Sequence, residues 1–173
     1  MLAEQIRSTA TGRIVVLIDG QSGSGKTTLA DELAYALGAQ LVHLDAVYPG
    51  WGGLEVGSAM VRTNMLDPEK PGWRRWDWGK RQPAEWHKIK PHKALVIEGS
   101  GALSKANREL ATFAVWIELE QAERKRRALA RDRDYAEHWD RWAAQEHAFY
   151  ARERPDLLAD VILDNRSGRL ITP

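Results

Sequence analysis

The chain contains no cysteine. That single absence removes disulfides, thiolate metal sites and cysteine nucleophiles together. It also lacks an excess of either charge, with 25 lysines and arginines against 24 aspartates and glutamates in 173 residues. No overall basic field is available to hold nucleic acid, and only local patches could do so. No apolar run approaches the roughly 20 residues of a membrane span. The first residues, Met1-Leu2-Ala3-Glu4-Gln5-Ile6-Arg7, are too mixed in charge for a signal peptide. Internal repeats, low-complexity tracts and interdomain linkers are missing as well. These absences leave a cytoplasmic chain of one domain, free of membrane, long enough to bury a core.

What is present alternates. Short apolar runs at 14–18, 41–44, 94–97, 113–117 and 161–163 read as strands buried on both faces of a parallel sheet. Between them, helical patterns cover 26–37, 103–110, 121–130 and 136–153. Leu29, Leu33 and Leu37 form an inward stripe on the first of these, and Gly38 closes it. Strands alternating with helices predict a three-layer α/β fold, a five-stranded parallel sheet with helices on both faces. Residues 45–93 break the rhythm. They hold five prolines and five of the eight tryptophans with little periodicity, as a substrate-binding segment or lid would.

The first strand runs into Gly20-Gln21-Ser22-Gly23-Ser24-Gly25-Lys26-Thr27, followed by Thr28. This is G-x-x-x-x-G-K-T, the Walker A phosphate-binding loop, set between a strand and a helix as its mechanism demands. Bared backbone amides and the positive helix end face phosphate. Lys26 reaches the β- and γ-phosphates, and the Thr27 hydroxyl is placed for Mg²⁺. Gly20, Ser22, Gly23, Ser24, Gly25, Lys26, Thr27 and Thr28 are the expected nucleotide contacts, with ATP and Mg²⁺ as ligands.

Two acids end later strands. Asp45 follows the second strand, where it would take a proton from a substrate hydroxyl or hold Mg²⁺. Glu98 ends the third, in the Walker B position, with Glu where Asp is commoner. A basic helix follows, on which Arg124, Arg127 and Arg131 fall at i, i+3 and i+7 and share a face. Arg127 and Arg131 are the candidates to clamp a transferring phosphoryl group, while Lys125 and Arg126 read as solvated. In the irregular segment, Tyr48, Trp51, Arg75 and Asp77 are candidate substrate contacts, aromatic faces for stacking and polar groups for hydroxyls. Trp73, Trp78 and Trp86 read as packing. His43 reads as structural, His87 and His92 fit no metal spacing, and His138 and His147 read as ordinary helix members.

Together these residues resemble the P-loop small-molecule kinases, in particular the uridine kinase-like branch with phosphoribulokinase and pantothenate kinase relatives. The resemblance rests on Ile18-Asp19-Gly20 through Thr28, Asp45 followed by Tyr48, the end of the third strand at 96–99, and the stretch from Arg127 to Asp132. It extends to actinobacterial uridine kinase-like ATP-binding proteins through Tyr48-Pro49-Gly50-Trp51 and Arg75-Trp76-Asp77-Trp78. It implies Asp45 as the catalytic carboxylate, Glu98 as serving Mg²⁺, and Arg127 and Arg131 as lid arginines. The expected activity is ATP-dependent phosphorylation of a small hydroxyl-bearing molecule, nucleoside-like, by a monomer or homodimer. Three alternatives stand beside it. One is a nucleoside monophosphate kinase using Arg62, Arg74 and Arg75. Another is a nucleotide-dependent ATPase or switch acting on a protein, and the third a nucleic-acid binder, which the charge balance disfavours.

Overall fold

The computed structural model describes residues 2–131 and 134–172. In chain order its elements are α1 (Leu2–Thr9), β1 (Val15–Gly20), α2 (Lys26–Leu37), β2 (Gln40–His43), α3 (Leu54–Met60), β3 (Gly72–Asp77), β4 (Gln82–Lys88), β5 (Leu95–Glu98), α4 (Lys105–Arg108), β6 (Phe113–Glu118), α5 (Gln121–Arg131), α6 (Trp139–Glu153), α7 (Pro155–Leu158), β7 (Val161–Asp164) and β8 (Arg169–Ile171). Short 3-10 turns lie at Leu44–Ala46 and Asp134–Glu137, and a π turn at Val61–Met65.

One sheet runs in the order β2-β5-β1-β6-β7-β8. Its first five strands are parallel, and β1 pairs with β5 on one side and β6 on the other. Every residue of β1 is buried, as a strand covered on both faces requires. Alternation along β1 divides the core. Val16 and Ile18 pack on the side of α1 and α2 with Ile6, Ala30 and Leu33. Leu17 faces the other side, with Tyr48, Leu54, Trp142 and Phe149. The three-layer architecture expected from the sequence is therefore present, with β1 inside the sheet.

The strand count needs a correction. A sixth strand, β8, pairs antiparallel with β7 at the sheet edge. Its three residues are all exposed, so it joins by backbone hydrogen bonds and leaves no hydrophobic pattern to read. Residues 45–93 are also more regular than expected. They form α3, the π turn and the antiparallel hairpin of β3 and β4, with a register shift between Arg74 and Trp76. Of the strand residues only Gly72 is buried, and cross-strand pairs hold the two strands together. Trp73 stacks on His87 at 4.3 Å, and the Arg74 guanidinium lies 5.9 Å from the Trp86 ring.

The helix that follows the phosphate loop fits its expected bounds, 26–37. Gly38 adopts the left-handed conformation (φ 60°) and closes it by donating its amide to Tyr35. The short helix after β5 is a single turn, α4. The Ser104 hydroxyl caps it, accepting the Asn107 amide at 3.1 Å.

Candidate functional site

A cleft of about 770 Å³ opens at the carboxyl ends of the parallel strands. One end is the phosphate loop. The α2 helix starts at Lys26 with no side chain capping its first turn, so its leading amides face the cleft unpaired. Gly23 and Gly25 have φ of 82° and 97°. A side chain at Gly23 would collide with the backbone of Arg124, so α5 presses directly onto the loop. Lys26 is buried, and among the described residues its ammonium has one hydrogen-bond partner, the Gln21 carbonyl at 3.3 Å. Among the described residues no carboxylate lies within ion-pair distance of it. A buried cation beside uncapped amides suits a polyanion, so the residues present fit a nucleotide triphosphate.

Not every expected nucleotide contact faces this space. Ser22, Gly23, Gly25, Lys26, Thr27 and Thr28 line the cleft. Gly20 and Ser24 sit beneath the loop. The Gly20 carbonyl accepts the Tyr150 hydroxyl at 3.2 Å, and the Ser24 carbonyl accepts the Asn165 amide. Asp19, just before the loop, is fully buried and acts as a clamp. It accepts hydrogen bonds from the amides of Gly20, Gly101 and Leu103 and from the Tyr150 hydroxyl. Burial nevertheless pushes its carboxyl up to about 6.

Thr27, Glu98 and Asp45 come together at the middle of the cleft. The Thr27 hydroxyl donates to Glu98 Oε1 at 3.2 Å, and His43 Nδ1 lies 2.7 Å from the same oxygen. Burial would raise Glu98, but His43, Lys26 and Thr27 outweigh it and hold the carboxyl below its ordinary value. His43 is raised in turn, chiefly by its hydrogen bond to Glu98. Asp45 moves the other way. Desolvation by the cleft walls raises it, reinforced by the Glu98 charge and opposed by Lys26 and Arg131. Its side chain is still 69 % exposed, crowded by protein yet open to whatever occupies the cleft. These hard oxygen donors suit Mg²⁺ shared with phosphate oxygens. Among the described residues no group of three or more His, Asp or Glu makes a free-standing metal site.

The basic helix divides its arginines. Arg127 and Arg131 line the cleft, and Arg131 lies 3.9 Å from Asp45. Arg127 is steadied by Glu123 at 2.7 Å. Arg124 is buried and holds the carbonyls of Leu119 and Ser22, joining helix to loop. Asp132 lies outside the described residues.

Rings form the far end of the cleft. Trp51 lies nearly parallel to Tyr135 and His138, at 5.2 and 4.3 Å, and contacts Trp78 at 5.0 Å. Trp78 sits in the β3–β4 turn and donates its indole N–H to the Asp45 carbonyl at 2.9 Å. Tyr48 borders the cleft but is buried, and its hydroxyl donates to the Ser100 carbonyl. Arg75 and Asp77 are elsewhere. Arg75 forms a two-bond pair with Glu85, and Asp77 accepts the Lys80 amide in the hairpin turn. Neither lines the cleft. Trp78, Tyr135, His138, Trp142 and Ser100 line it without having been picked out as contacts. The signal for two of them was available, since His138 and Trp142 lie four apart in the 136–153 helical pattern and share one face.

No family model matches the chain. A solved structure from Bacillus stearothermophilus, described as a possible uridine kinase, superposes with a TM-score of 0.64 at 22 % identity, covering 94 % of this chain and 95 % of that one. A protein from Silicibacter sp. TM1040, assigned as a fructose transport system kinase, superposes with a TM-score of 0.60 at 18 % identity, covering 99 % and 95 %. Both share the fold over nearly the whole chain. A tRNA dimethylallyltransferase of Acholeplasma laidlawii is 43 % identical over 56 residues, which is 32 % of this chain and 20 % of that protein. The chain thus matches about a fifth of that curated relative. Among the described residues no helix is long and apolar enough to cross a membrane.

Proposed function

We propose that the chain is an ATP-dependent phosphotransferase of the uridine kinase-like kind, acting on a hydroxyl of a small neutral molecule with a flat, nucleoside-like ring. The observation that carries this reading is the joining of two unlike ends in one cleft. The uncapped α2 terminus and Lys26 suit a triphosphate, the ring cluster around Trp51 suits a planar acceptor, and Asp45 borders both. The structural likeness to two kinases of the same fold adds support.

The two cleft carboxylates are pushed apart in basicity, a pattern that separates their roles. Glu98, held ionised by its neighbours, suits a cation. Mg²⁺, when bound at Thr27 and Glu98 with the phosphates, would neutralise developing charge on the phosphoryl oxygens. Asp45, made more basic by its walls, suits the proton. In the step proposed, the acceptor O–H proton passes to an Asp45 oxygen and the acceptor oxygen bonds to the γ-phosphorus. The bond from that phosphorus to the β,γ-bridging oxygen breaks, and ADP leaves. Arg127 and Arg131 lie over the transferring group and exclude water, which would otherwise compete as acceptor.

The monophosphate reading loses its cations. Arg62 bonds the Ala106 carbonyl and Glu109, Arg74 the Ala84 carbonyl, and Arg75 Glu85. A protein-directed switch gains nothing from a ring-lined cleft of this size. The test is ADP release measured with and without each of a panel of nucleosides, nucleotides, sugars and vitamin precursors. A nucleoside-type alcohol raising release many-fold is the expected outcome. Release that no alcohol stimulates would sink the kinase reading in favour of an ATPase.

A further inference from the structure

Glu146 belongs to α6 and has no part in the transfer scheme, yet it is 1 % exposed. A carboxylate so placed needs its oxygens satisfied. A single oxygen, Oε1, receives four donors. They are the Ser22 amide at 2.8 Å, the Ser22 hydroxyl at 2.8 Å, the Ser100 hydroxyl at 2.7 Å and the Trp142 indole N–H at 3.2 Å. Two come from the phosphate loop, one from the turn after β5 and one from the ring-lined wall.

One carboxylate oxygen offers two lone pairs, so four donors oversubscribe it. The hydroxyls can rotate, and Ser100 has a second acceptor in the Gly20 carbonyl at 3.4 Å. The Ser22 amide and the Trp142 indole cannot turn away without moving the loop or the ring. A donor withdrawn or tightened at one end therefore redistributes hydrogen bonds at the other. One turn further along α6, the Tyr150 hydroxyl bonds Asp19 at 2.9 Å and the Gly20 carbonyl. That second tie holds α6 against the end of β1 independently of Glu146.

We propose that Glu146 is a positioning residue that couples the two ends of the cleft. Because Ser22 and Trp142 share its Oε1, nucleotide on the phosphate loop is transmitted to the wall where the acceptor would lie. The inference rests on the phosphate loop being the nucleotide site. By linkage it runs both ways, and an acceptor lodged against Trp142 changes nucleotide affinity by the same factor.

The probe is Mg-ADP, titrated into the whole chain with calorimetry for binding and tryptophan emission for the wall. The Trp142 component is the emission change of the wild type minus that of Trp142→Phe. Glu146→Leu keeps most of the side-chain volume but removes the oxygen that Ser22 and Trp142 share. It is expected still to bind Mg-ADP, within about a hundredfold of wild type, the scale of two lost hydrogen bonds on the phosphate loop. The Trp142 component should disappear. A purely structural role would lower the melting temperature and leave that component intact. A folded Glu146→Leu that binds Mg-ADP with the full component overturns the proposal, as does a wild type with no component at saturation. If Glu146→Leu does not fold, Ser22→Ala, which removes a donor at the other end, is expected to diminish the component, and an unchanged component overturns the proposal equally. Calorimetry showing no binding to the wild type would instead remove the nucleotide reading itself, and this inference with it.

Discussion

The two ends of the cleft are built by different means. The phosphate end is nine contiguous residues, 20–28, acting mostly through backbone amides and one lysine. The ring-lined end, proposed above for the acceptor, draws its rings from three separate places: the turn after β2, the tip of the β3–β4 hairpin, and the junction of α5 and α6. A backbone device must be local, because successive amides have to converge on one ligand. A side-chain surface can be collected from anywhere the topology brings together. The first therefore tolerates few sequences and is legible as a motif. The second tolerates many and is not.

The sharpest way to break this division is at Lys26. Lys26→Ala should cut transfer by at least about a thousandfold, since charge neutralisation dominates phosphoryl transfer. Undiminished Mg-ATP affinity and turnover would detach the phosphate end from nucleotide altogether. Asp45→Asn should cost about 10²- to 10⁴-fold in turnover while leaving Mg-ATP binding nearly unchanged. The acid limb of the wild-type rate profile should also lie above that of an ordinary carboxylate, because desolvation raises Asp45 and its ionised form is the active one. A variant with the wild-type rate would leave Asp45 without the role of base.

A third probe concerns the footing of the phosphate end. The fold raises Asp19 to about 6, so it holds this proton more tightly than the unfolded chain does. Stability of the wild type relative to Asp19→Asn should be greatest below about pH 4 and fall as the pH rises towards 6. The slope should be at most about 1.4 kcal/mol per pH unit, with a plateau above. Denaturant unfolding of both proteins across that range supplies the measurement. A relative stability that climbs over the window would mean the Leu103, Gly20 and Tyr150 donors outweigh burial. At the acceptor end, Trp78→Phe keeps a ring but removes the N–H that holds the Asp45 carbonyl. It should raise the acceptor KM by about tenfold with little change for ATP, as for one lost hydrogen bond.

What the sequence made legible follows the same division. The three central strands, β5, β1 and β6, are almost wholly buried apolar runs, and β1 announces the loop that follows it. The α2 bounds were readable from Lys26 to Gly38. The β3–β4 hairpin was not, because neither face is buried and no period of two survives in Trp73-Arg74-Arg75-Trp76-Asp77. Glu146 and Ser100 were invisible for another reason. A lone acid in a helix and a serine after a strand carry meaning only once folding puts them 2.7 Å apart. His138 read as an ordinary helix residue because its partner, Trp51, lies far away in sequence. Arg75 and Asp77 drew attention through neighbouring tryptophans, yet their polar groups serve the hairpin.

The smallest expected effect is therefore at Arg75, and it tests how far adjacency in sequence can mislead. Its guanidinium forms two hydrogen bonds to Glu85 across the hairpin, at 2.5 and 3.0 Å, and the pair stands in solvent. Exposed pairs of this kind contribute little, because water screens the attraction and two side chains must be ordered. Arg75→Ala should leave kcat, the acceptor KM and ATP affinity within about twofold of wild type, with little loss of stability. If the acceptor KM instead rose as much as in Trp78→Phe, the hairpin would have to swing Arg75 into the cleft on binding. The acceptor end would then be an induced surface rather than the standing one described by the rings around Trp51.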